Sequence, residues 1–166
     1  TIFDEKDIIA QAQSGTGKTG AFTIGVLYRV NAKINKTQGM ILAPTRELAS
    51  QIQDVCNSLS TQMSIHTQLL VGGRSPDIDI RDIHKKCPQI MIGCPGRVLD
   101  ILSRNILDNR KIQTLIMDEA DEILSVGFQE QIQQILRLLS EEVQIVLFSA
   151  TIPDILLKLT EKFMRV

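Results

Sequence analysis

Short apolar runs alternate with longer segments of helical periodicity along almost the whole chain of 166 residues. Each run has the length of a strand, and a strand that is buried on both faces is apolar throughout. Strand–helix alternation is typical of an α/β fold in which helices cover both faces of a mostly parallel, twisted sheet. Ligands of such folds bind beyond the carboxyl ends of the strands. The predicted strands are residues 7–10, 39–43, 65–71, 89–93, 114–117 and 144–148.

Amphipathic helices are predicted between these runs. In the second of them, apolar residues recur from Leu48 to Leu59 with helical spacing, and Thr45 precedes them as a helix cap. No internal repeat or linker-like run interrupts the pattern, so we expect a single domain over residues 1–166. The predicted helices are residues 18–30, 46–59, 97–102, 128–139 and 153–164.

A glycine-rich loop lies between the first predicted strand and the first helix. Its sequence, AQSGTGKT, departs from the phosphate-loop pattern G-x-x-x-x-G-K-[ST] only at the first glycine. The glycines allow backbone dihedrals that turn amides toward a phosphate, the lysine adds a positive charge, and the threonine offers a hydroxyl to Mg²⁺. A plain glycine-rich turn with an exposed lysine is the weaker interpretation. The predicted nucleotide-binding residues are Ala12, Ser14, Gly15, Thr16, Gly17, Lys18 and Thr19.

Acidic residues follow the fifth predicted strand directly. Asp118 and Glu119 come after apolar residues 114–117, so their carboxylates are expected at the same sheet edge as the phosphate loop. We predict that Asp118 holds Mg²⁺ together with Thr19, and that Glu119 orients or deprotonates the attacking water. The alternative is a helix whose first turn is acidic because of its dipole. The phosphate loop upstream favours the metal-binding interpretation.

Composition excludes several classes of function. The net charge of −1, from 18 basic and 19 acidic residues, argues against a broad basic surface for nucleic acid or anionic lipid. The three cysteines form no C-x-x-C pair and the two histidines are isolated, so we expect neither disulfides nor a metal site besides that for Mg²⁺. No apolar stretch reaches the roughly 18 residues of a membrane span. We therefore expect a soluble, intracellular protein without membrane contact.

Six segments resemble, in order, the motifs of the DEAD-box RNA helicases. The acidic cluster spells Asp-Glu-Ala-Asp, and the resemblance covers essentially the whole chain. It implies a RecA-like phosphate-loop domain with ATP as its nucleotide and Mg²⁺ as its metal ion. Within the family, residues 10–19, 118–131 and 162–165 are most similar to the helicase of translation initiation and its exon-junction relative. The six segments are residues 12–19 (motif I), 44–49 (motif Ia), 72–73 (the GG motif), 94–97 (motif Ib), 118–121 (the DEAD motif) and 149–151 (motif III).

The resemblance also assigns roles to the DEAD motif and to motif III. Asp121 is expected to lie close to Ser149 and Thr151, and these three residues are expected to couple ATP hydrolysis to RNA release and to the partner domain. From the residues alone, motif III equally fits a turn at the end of a strand before Pro153. The residues expected to be catalytic are Glu119, Asp118 and Lys18.

RNA binding is implied at the loops that follow the middle strands, with the sugar-phosphate backbone as the target. Arg46 lies at a predicted helix N-terminus, which suits a phosphate, and Asp100 is expected to accept from a ribose 2′-hydroxyl. Cys94 stands where the family has threonine, and a thiol is the weaker donor. The alternatives are an ion pair for Arg46 and a simple turn at the glycine pair. The residues expected to contact RNA are Pro44, Thr45, Arg46, Gly72, Gly73, Pro95, Gly96, Arg97 and Asp100.

Further parts of the helicase are expected outside this sequence. By resemblance, the chain is the N-terminal RecA-like ATP-binding domain, without the upstream adenine-reading Q motif and without the second RecA-like domain that carries an arginine finger. We therefore expect negligible hydrolysis by the isolated chain. The expected partners are single-stranded RNA, the second RecA-like domain of the same protein and a helical-repeat scaffold protein. The expected location is the cytoplasm, with the nucleus as the alternative.

Three functions compete at this point. The favoured one is an RNA-dependent ATPase of translation initiation that separates short duplexes locally. The second is an ATP-gated RNA clamp that serves as an assembly platform and releases little phosphate. The third is an unrelated phosphate-loop enzyme such as a GTPase or a small kinase. The chain lacks the N-K-x-D guanine-reading motif, and this third class leaves the segments that resemble motifs Ia and III unexplained.

Overall fold

The computed structural model of the protein describes residues 2–13 and 15–165, and its centre is a parallel β-sheet. Every paired strand in this part of the chain runs parallel to its neighbour, in the order β1-β6-β5-β2-β4-β3. The predicted α/β class and parallel sheet are therefore confirmed. The strands are β1 (Ile8–Gln11), β2 (Gly39–Leu42), β3 (Thr67–Leu70), β4 (Ile90–Gly93), β5 (Thr114–Met117) and β6 (Gln144–Ser149).

Helices cover the sheet on both faces, as the alternating pattern predicts. Side chains alternate in direction along a strand, so neighbours such as Ile41 and Leu42 enter different cores. One core packs the sheet against α1 and α2, and the other packs it against helices from α3 onward. The helices are α1 (Lys18–Arg29), α2 (Arg46–Leu59), α3 (Pro76–Lys86), α4 (Pro95–Ser103), α5 (Ala120–Ser125), α6 (Gln129–Leu138) and α7 (Asp154–Phe163).

Two helices are absent from the sequence-based assignment. Helix α5 is short, with 6 residues. Helix α3 does have sequence signals: Ser75 caps it, Pro76 opens it, and its last turn ends in basic residues that suit its dipole. Its many charged residues hide the buried Ile83, which joins the second core. Helix α4 also begins two residues earlier than predicted, at Pro95.

The strand order places the predicted functional segments at one edge of the sheet. The loops after β1, β5 and β6 are neighbours there, and so are the loops after β2, β4 and β3. The first group contains the residues that resemble motifs I, DEAD and III, and the second contains those that resemble Ia, Ib and GG. The fold therefore produces two adjacent surfaces from segments that are far apart in sequence.

Candidate functional site

The loop between β1 and α1 has the backbone that the phosphate-loop pattern requires. Gly15 and Gly17 both have φ of 81°, and Gly17 is the left-handed residue that precedes α1. Left-handed dihedrals let successive amides turn to one side as an anion-binding concavity. The Thr16 hydroxyl donates to the carbonyl of Gln13 at 2.8 Å and closes the loop locally. Ser14, which we predict to bind nucleotide, lies outside the described residues.

The base of this loop is tied to the end of β6. The amide of Ala12 donates to the carbonyl of Ser149 at 2.9 Å, and Gln11 Nε2 donates to the carbonyl of Ala150 at 3.1 Å. Two hydrogen bonds, one from a backbone amide and one from a side chain, therefore join the base of the phosphate loop to the segment that resembles motif III.

Lys18 and Asp118 form an ion pair at the carboxyl end of β5. Lys18 Nζ lies 3.2 Å from Asp118 Oδ1, and the two side chains are 9% and 1% exposed. The Asp118 amide donates to the carbonyl of Leu42, which continues the sheet and fixes where the carboxylate emerges. A phosphate bound in the loop would compete with this carboxylate for the ammonium group, because Lys is a point charge on a flexible stem.

Glu119 has an uncommon backbone conformation directly beside this pair. Its φ of 52° and ψ of 52° lie in the left-handed region, which costs a non-glycine residue about 1–3 kcal/mol. Its amide donates to Asp118 Oδ1 at 3.0 Å. Burial, and after it the negative charge of Asp118, raises the pKa of Glu119 above its ordinary value. A carboxylate with a raised pKa is a better proton acceptor, as a general base for water needs to be.

Asp121 is bonded to both residues that we predict to act with it. The Thr151 hydroxyl donates to Asp121 Oδ2 at 2.7 Å and the Thr151 amide donates to the same oxygen at 3.0 Å. Ser149 Oγ accepts from the Asp121 amide at 3.2 Å and donates to the Thr151 carbonyl at 2.6 Å. Burial alone would raise the pKa of Asp121, but hydrogen bonds, above all from Thr151, lower it below the ordinary value. The three predicted coupling residues therefore form one network.

The donors at this edge fit a magnesium ion held together with a nucleotide. Mg²⁺ prefers oxygen ligands and in such sites uses one or two carboxylates, with phosphate oxygens completing its shell. Asp118 supplies a buried carboxylate, and Thr19 supplies a hydroxyl in the first turn of α1. These are the two residues that the sequence predicts for the metal ion.

The second surface is built from the loops after β2, β4 and β3. Thr45 Oγ1 accepts from the Leu48 amide at 3.2 Å and caps α2, as predicted. Arg46 is exposed, and its guanidinium group lies against the backbone of Gly73, whose φ is +96°. A Cβ at position 73 would lie 2.7 Å from Arg46 Nη1, the movable end of a flexible side chain, so the positive φ is what favours glycine here.

Other predicted RNA contacts have protein partners in the structure. The Arg97 guanidinium group binds the carboxylate of Asp79 and donates to the Arg74 carbonyl at 2.7 Å. Asp100 accepts from Arg104 Nε at 2.9 Å. The two prolines of the set, at positions 44 and 95, are buried, whereas Gly72 and Gly96 are exposed. The side chains with protein partners organise this surface, and the exposed backbone and Arg46 are its accessible parts.

Two residues of this surface, Asp79 and Arg74, are absent from the sequence-based set. Arg74 directly follows the glycine pair, which was a usable signal. Asp79 lies within α3, so the prediction that lacked this helix had no reason to place its carboxylate near Arg97.

A phosphate loop at a helix N-terminus, with a Lys–Asp ion pair and a second carboxylate at the neighbouring strand end, defines a nucleoside-triphosphate-binding domain of the phosphate-loop class. Comparison with known proteins narrows this class. The family model for the DEAD/DEAH box helicase matches residues 1–159, and the chain belongs to this family.

Relatives with the same family features cover nearly the whole chain. The chain is 48% identical over 164 residues to the ATP-dependent RNA helicase eIF4A of Meyerozyma guilliermondii. The matched region is 99% of this chain and 41% of that protein. It is 44% identical over 160 residues to eukaryotic initiation factor 4A of Drosophila melanogaster. That matched region is 96% of this chain and 40% of that protein. The chain therefore spans about two fifths of the length of these relatives.

Solved structures agree with the sequence relatives. The crystal structure of a DEAD box protein from the hyperthermophile Methanococcus jannaschii matches with a TM-score of 0.92 and 37% identity, covering 98% of this chain and 44% of that one. The Saccharomyces cerevisiae protein dbp5, bound to nup159, gle1, ip6 and adp, matches with a TM-score of 0.85 and 36% identity over 96% of this chain and 41% of that one. The RecA-like fold that the motifs predict is confirmed. Among the described helices, none has the length and apolar character needed to cross a membrane.

Proposed function

We propose that this chain is the nucleotide-binding domain of an ATP-dependent RNA helicase whose hydrolysis of ATP is stimulated by RNA. The observation that carries the proposal is the bonding of the Asp121 carboxylate to the Thr151 hydroxyl and amide. A phosphate-loop enzyme needs the Lys18–Asp118 pair for its nucleotide, but it has no need for a link between that site and the end of β6. Such a link suits a protein that transmits the state of its nucleotide to a partner domain.

The chemistry assigned to this site is the attack of water on the terminal phosphate of ATP. Lys18 binds phosphate oxygens, and a magnesium ion bound with the nucleotide supplies charge neutralisation at the phosphates. Glu119 accepts the proton of the attacking water, for which its raised pKa is suited. With the nucleotide bound, Lys18 would leave Asp118 for the phosphates, and Asp118 together with Thr19 would hold the metal ion.

RNA is proposed to bind at the second surface through its backbone. The N-termini of α2 and α4 present amides without acceptors inside the helix, which suits phosphate groups. Arg46 adds a positive charge at the first of them. A net charge of −1 fits recognition by a few placed donors instead of a basic field.

The proposed cellular role is translation initiation in the cytoplasm, because relatives that carry the name of an initiation factor match almost the entire chain. In this role the chain works with a second RecA-like domain, which supplies an arginine finger, and with a helical-repeat scaffold protein. The isolated chain is expected to hydrolyse ATP negligibly, since such a finger contributes a factor of about 10³–10⁵ in other nucleotide hydrolases. An ATP-gated clamp gains no support from the relatives or from the contacts of the site, and we do not propose it.

RNA-stimulated phosphate release by the full-length protein tests the proposal. Glu119→Gln should lower the stimulated rate by about 10²–10⁴-fold, the usual contribution of a general base, while ATP still binds. Glu122→Gln is the matched control, because it makes the same change at an exposed position of α5, the helix that Glu119 precedes. Wild-type protein that releases phosphate at the same rate with and without RNA would contradict the proposal.

A further inference from the structure

Asp79 is a fully buried carboxylate outside the nucleotide site, with an exposed fraction of 0%. It lies in α3, on the second core side of the sheet, and two arginines converge on it. Arg74 Nη2 binds Asp79 Oδ1, and Arg97 Nη1 binds Asp79 Oδ2. A charge this deep is costly unless it is paired, so its partners determine what it does.

Each arginine connects Asp79 to a different loop of the second surface. Arg74 follows the glycine pair after β3, and Arg97 lies in the first turn of α4 after β4. Arg97 also donates from Nη2 to the Arg74 carbonyl at 2.7 Å. The start of α4 is therefore joined to the glycine loop twice, once through the carboxylate and once through the backbone.

The connection continues to the loop after β2. Arg46, at the start of α2, packs its guanidinium group against Gly73, and a Cβ on that glycine would lie within 2.7–3.0 Å of three guanidinium atoms. Arg74, the residue after Gly73, is bound by Asp79, and its Nη1 also lies 3.8 Å from Asp82 Oδ2. One buried carboxylate therefore joins the loops after β3 and β4 directly, and the contact of Arg46 with Gly73 connects them to the loop after β2.

We propose that Asp79 is a positioning residue for RNA binding. By holding Arg97 and Arg74 it keeps the N-termini of α2 and α4 and the Gly73 loop oriented toward one nucleic-acid backbone. Planar guanidinium groups suit this role, since each fixes both distance and direction to a carboxylate. The inference rests on the proposed RNA function of this surface and adds the residue that organises it.

The sign of the effect separates positioning from simple electrostatics. Asp79 is negative and lies beneath a surface proposed to bind a polyanion. If only its charge mattered, Asp79→Asn would strengthen RNA binding, because one repulsive charge would be lost. Positioning requires the opposite result. An amide cannot accept both arginines as a carboxylate does, so Asp79→Asn should release the loops and weaken RNA binding.

The experiment measures the affinity of the full-length protein for a fluorescently labelled oligouridine in the presence of a non-hydrolysable ATP analogue. Asp79→Asn should weaken RNA binding about tenfold, the equivalent of one lost hydrogen bond to a charged group, and leave the affinity for the analogue without RNA unchanged. Asp108→Asn is the matched control. Asp108 also pairs with an arginine, Arg110, but it precedes β5 and so lies at the opposite edge of the sheet.

A milder variant keeps the test decisive if Asp79→Asn does not fold. Arg74→Lys retains the surface charge and leaves Arg97 on Asp79. It replaces the planar guanidinium group, whose Nη2 binds Asp79 and whose Nη1 lies 3.8 Å from Asp82 Oδ2, with a flexible point charge. It should weaken RNA binding severalfold, and Arg110→Lys, its control, should not. RNA affinity that is unchanged or increased in a folded Asp79→Asn or Arg74→Lys protein overturns the inference. Wild-type protein that binds oligouridine without RNA-stimulated hydrolysis contradicts the proposed helicase function but leaves this test intact.

Discussion

Asp118 and Asp79 are both buried carboxylates near the same edge of the sheet, but their partners differ. Asp118 is 1% exposed and pairs with one ammonium group, that of Lys18, at 3.2 Å. Asp79 is 0% exposed and binds the guanidinium groups of Arg74 and Arg97. An ammonium group is a point charge on a flexible stem, whereas a guanidinium group fixes the geometry of its partner. Burial alone therefore does not distinguish a reactive carboxylate from an architectural one.

The surroundings of the two carboxylates support the same distinction. Asp118 is followed by Glu119, whose left-handed backbone concentrates strain at the strand end. Asp79 lies within a regular helix that Ser75 caps, and one of its partners, Arg97, donates to the backbone carbonyl of the other, Arg74. We expect the ion pair of the first site to open for a phosphate and the ion pairs of the second to persist.

The largest expected effect is on hydrolysis. Asp118→Asn should lower RNA-stimulated phosphate release about 10²–10³-fold at saturating RNA, the usual loss when one preorganised electrostatic group is removed. Asp79→Asn should leave the rate at saturating RNA within about threefold of wild type and act on RNA affinity instead. Steady-state kinetics with varied RNA and ATP measure both. Equal losses of the maximal rate in the two variants would contradict the distinction between a carboxylate that acts in hydrolysis and one that acts on RNA affinity.

The second effect is on stability, where we expect the larger loss from the Asp79 variant and the smaller loss from the Asp118 variant. Asp79→Ala should lower the free energy of unfolding by about 3–5 kcal/mol, because the side chain of Arg97, 11% exposed, loses its buried partner. Asp118→Ala should cost less, because the flexible stem of Lys18 can carry its charge from the edge of the site to solvent. Urea denaturation at constant m-value measures both changes. A larger loss at Asp118 than at Asp79 would contradict this order.

The nucleotide site was largely predictable because its signals are local in sequence. Gly15 and Gly17 adopt the positive φ that their pattern implies, and the carboxylates of the DEAD motif emerge where an apolar strand ends. The motif-based expectation for Asp121, Ser149 and Thr151 also matches the observed hydrogen bonds. Strand positions followed from continuous apolar runs, which only burial on both faces explains.

The second surface was less predictable because its contacts are tertiary. Arg97 was predicted to contact RNA, but its guanidinium group is engaged by Asp79, a residue 18 positions earlier in the chain. Nothing in the sequence around Asp79 distinguishes it from Asp77 or Asp82, two other acidic residues of α3. Only the packing of α3 against β3 and α4 selects which of these carboxylates is buried.

A pH measurement sharpens the picture of the reactive carboxylate site. Because burial, and then the charge of Asp118, raises the pKa of Glu119 above its ordinary 4.5, folding favours the protonated form of this group relative to the unfolded chain. Its contribution to stability is complete below pH 4.5 and is lost as pH rises through the folded pKa. Glu119→Gln should therefore gain stability relative to wild type as pH increases above 4.5 and then level off. A difference in unfolding free energy that does not change with pH, or that has the opposite sign, would show that Glu119 is not perturbed in this way.

The smallest expected effect concerns how α4 is held at its start. Thr45 and Ser75 cap α2 and α3 with side-chain hydrogen bonds, but Cys94, in the same place before α4, makes none. We therefore expect the first turn of α4 to depend on Arg97 and its bond to Asp79. Cys94→Thr should supply the missing cap and raise the free energy of unfolding by about 0.5–1 kcal/mol.

The same substitution tests whether a helix cap at position 94 and the Arg97–Asp79 ion pair both stabilise the first turn of α4. If Arg97–Asp79 stands in for a helix cap, Cys94→Thr should stabilise the Asp79→Asn protein more than it stabilises wild type. A double-mutant cycle by urea denaturation measures this coupling. Strict additivity would mean that the ion pair orients the loops without contributing to the start of α4. A positive coupling would mean that Asp79 both stabilises the first turn of α4 and orients the loops around it. Asp118, which pairs with a single ammonium group, has no such second role.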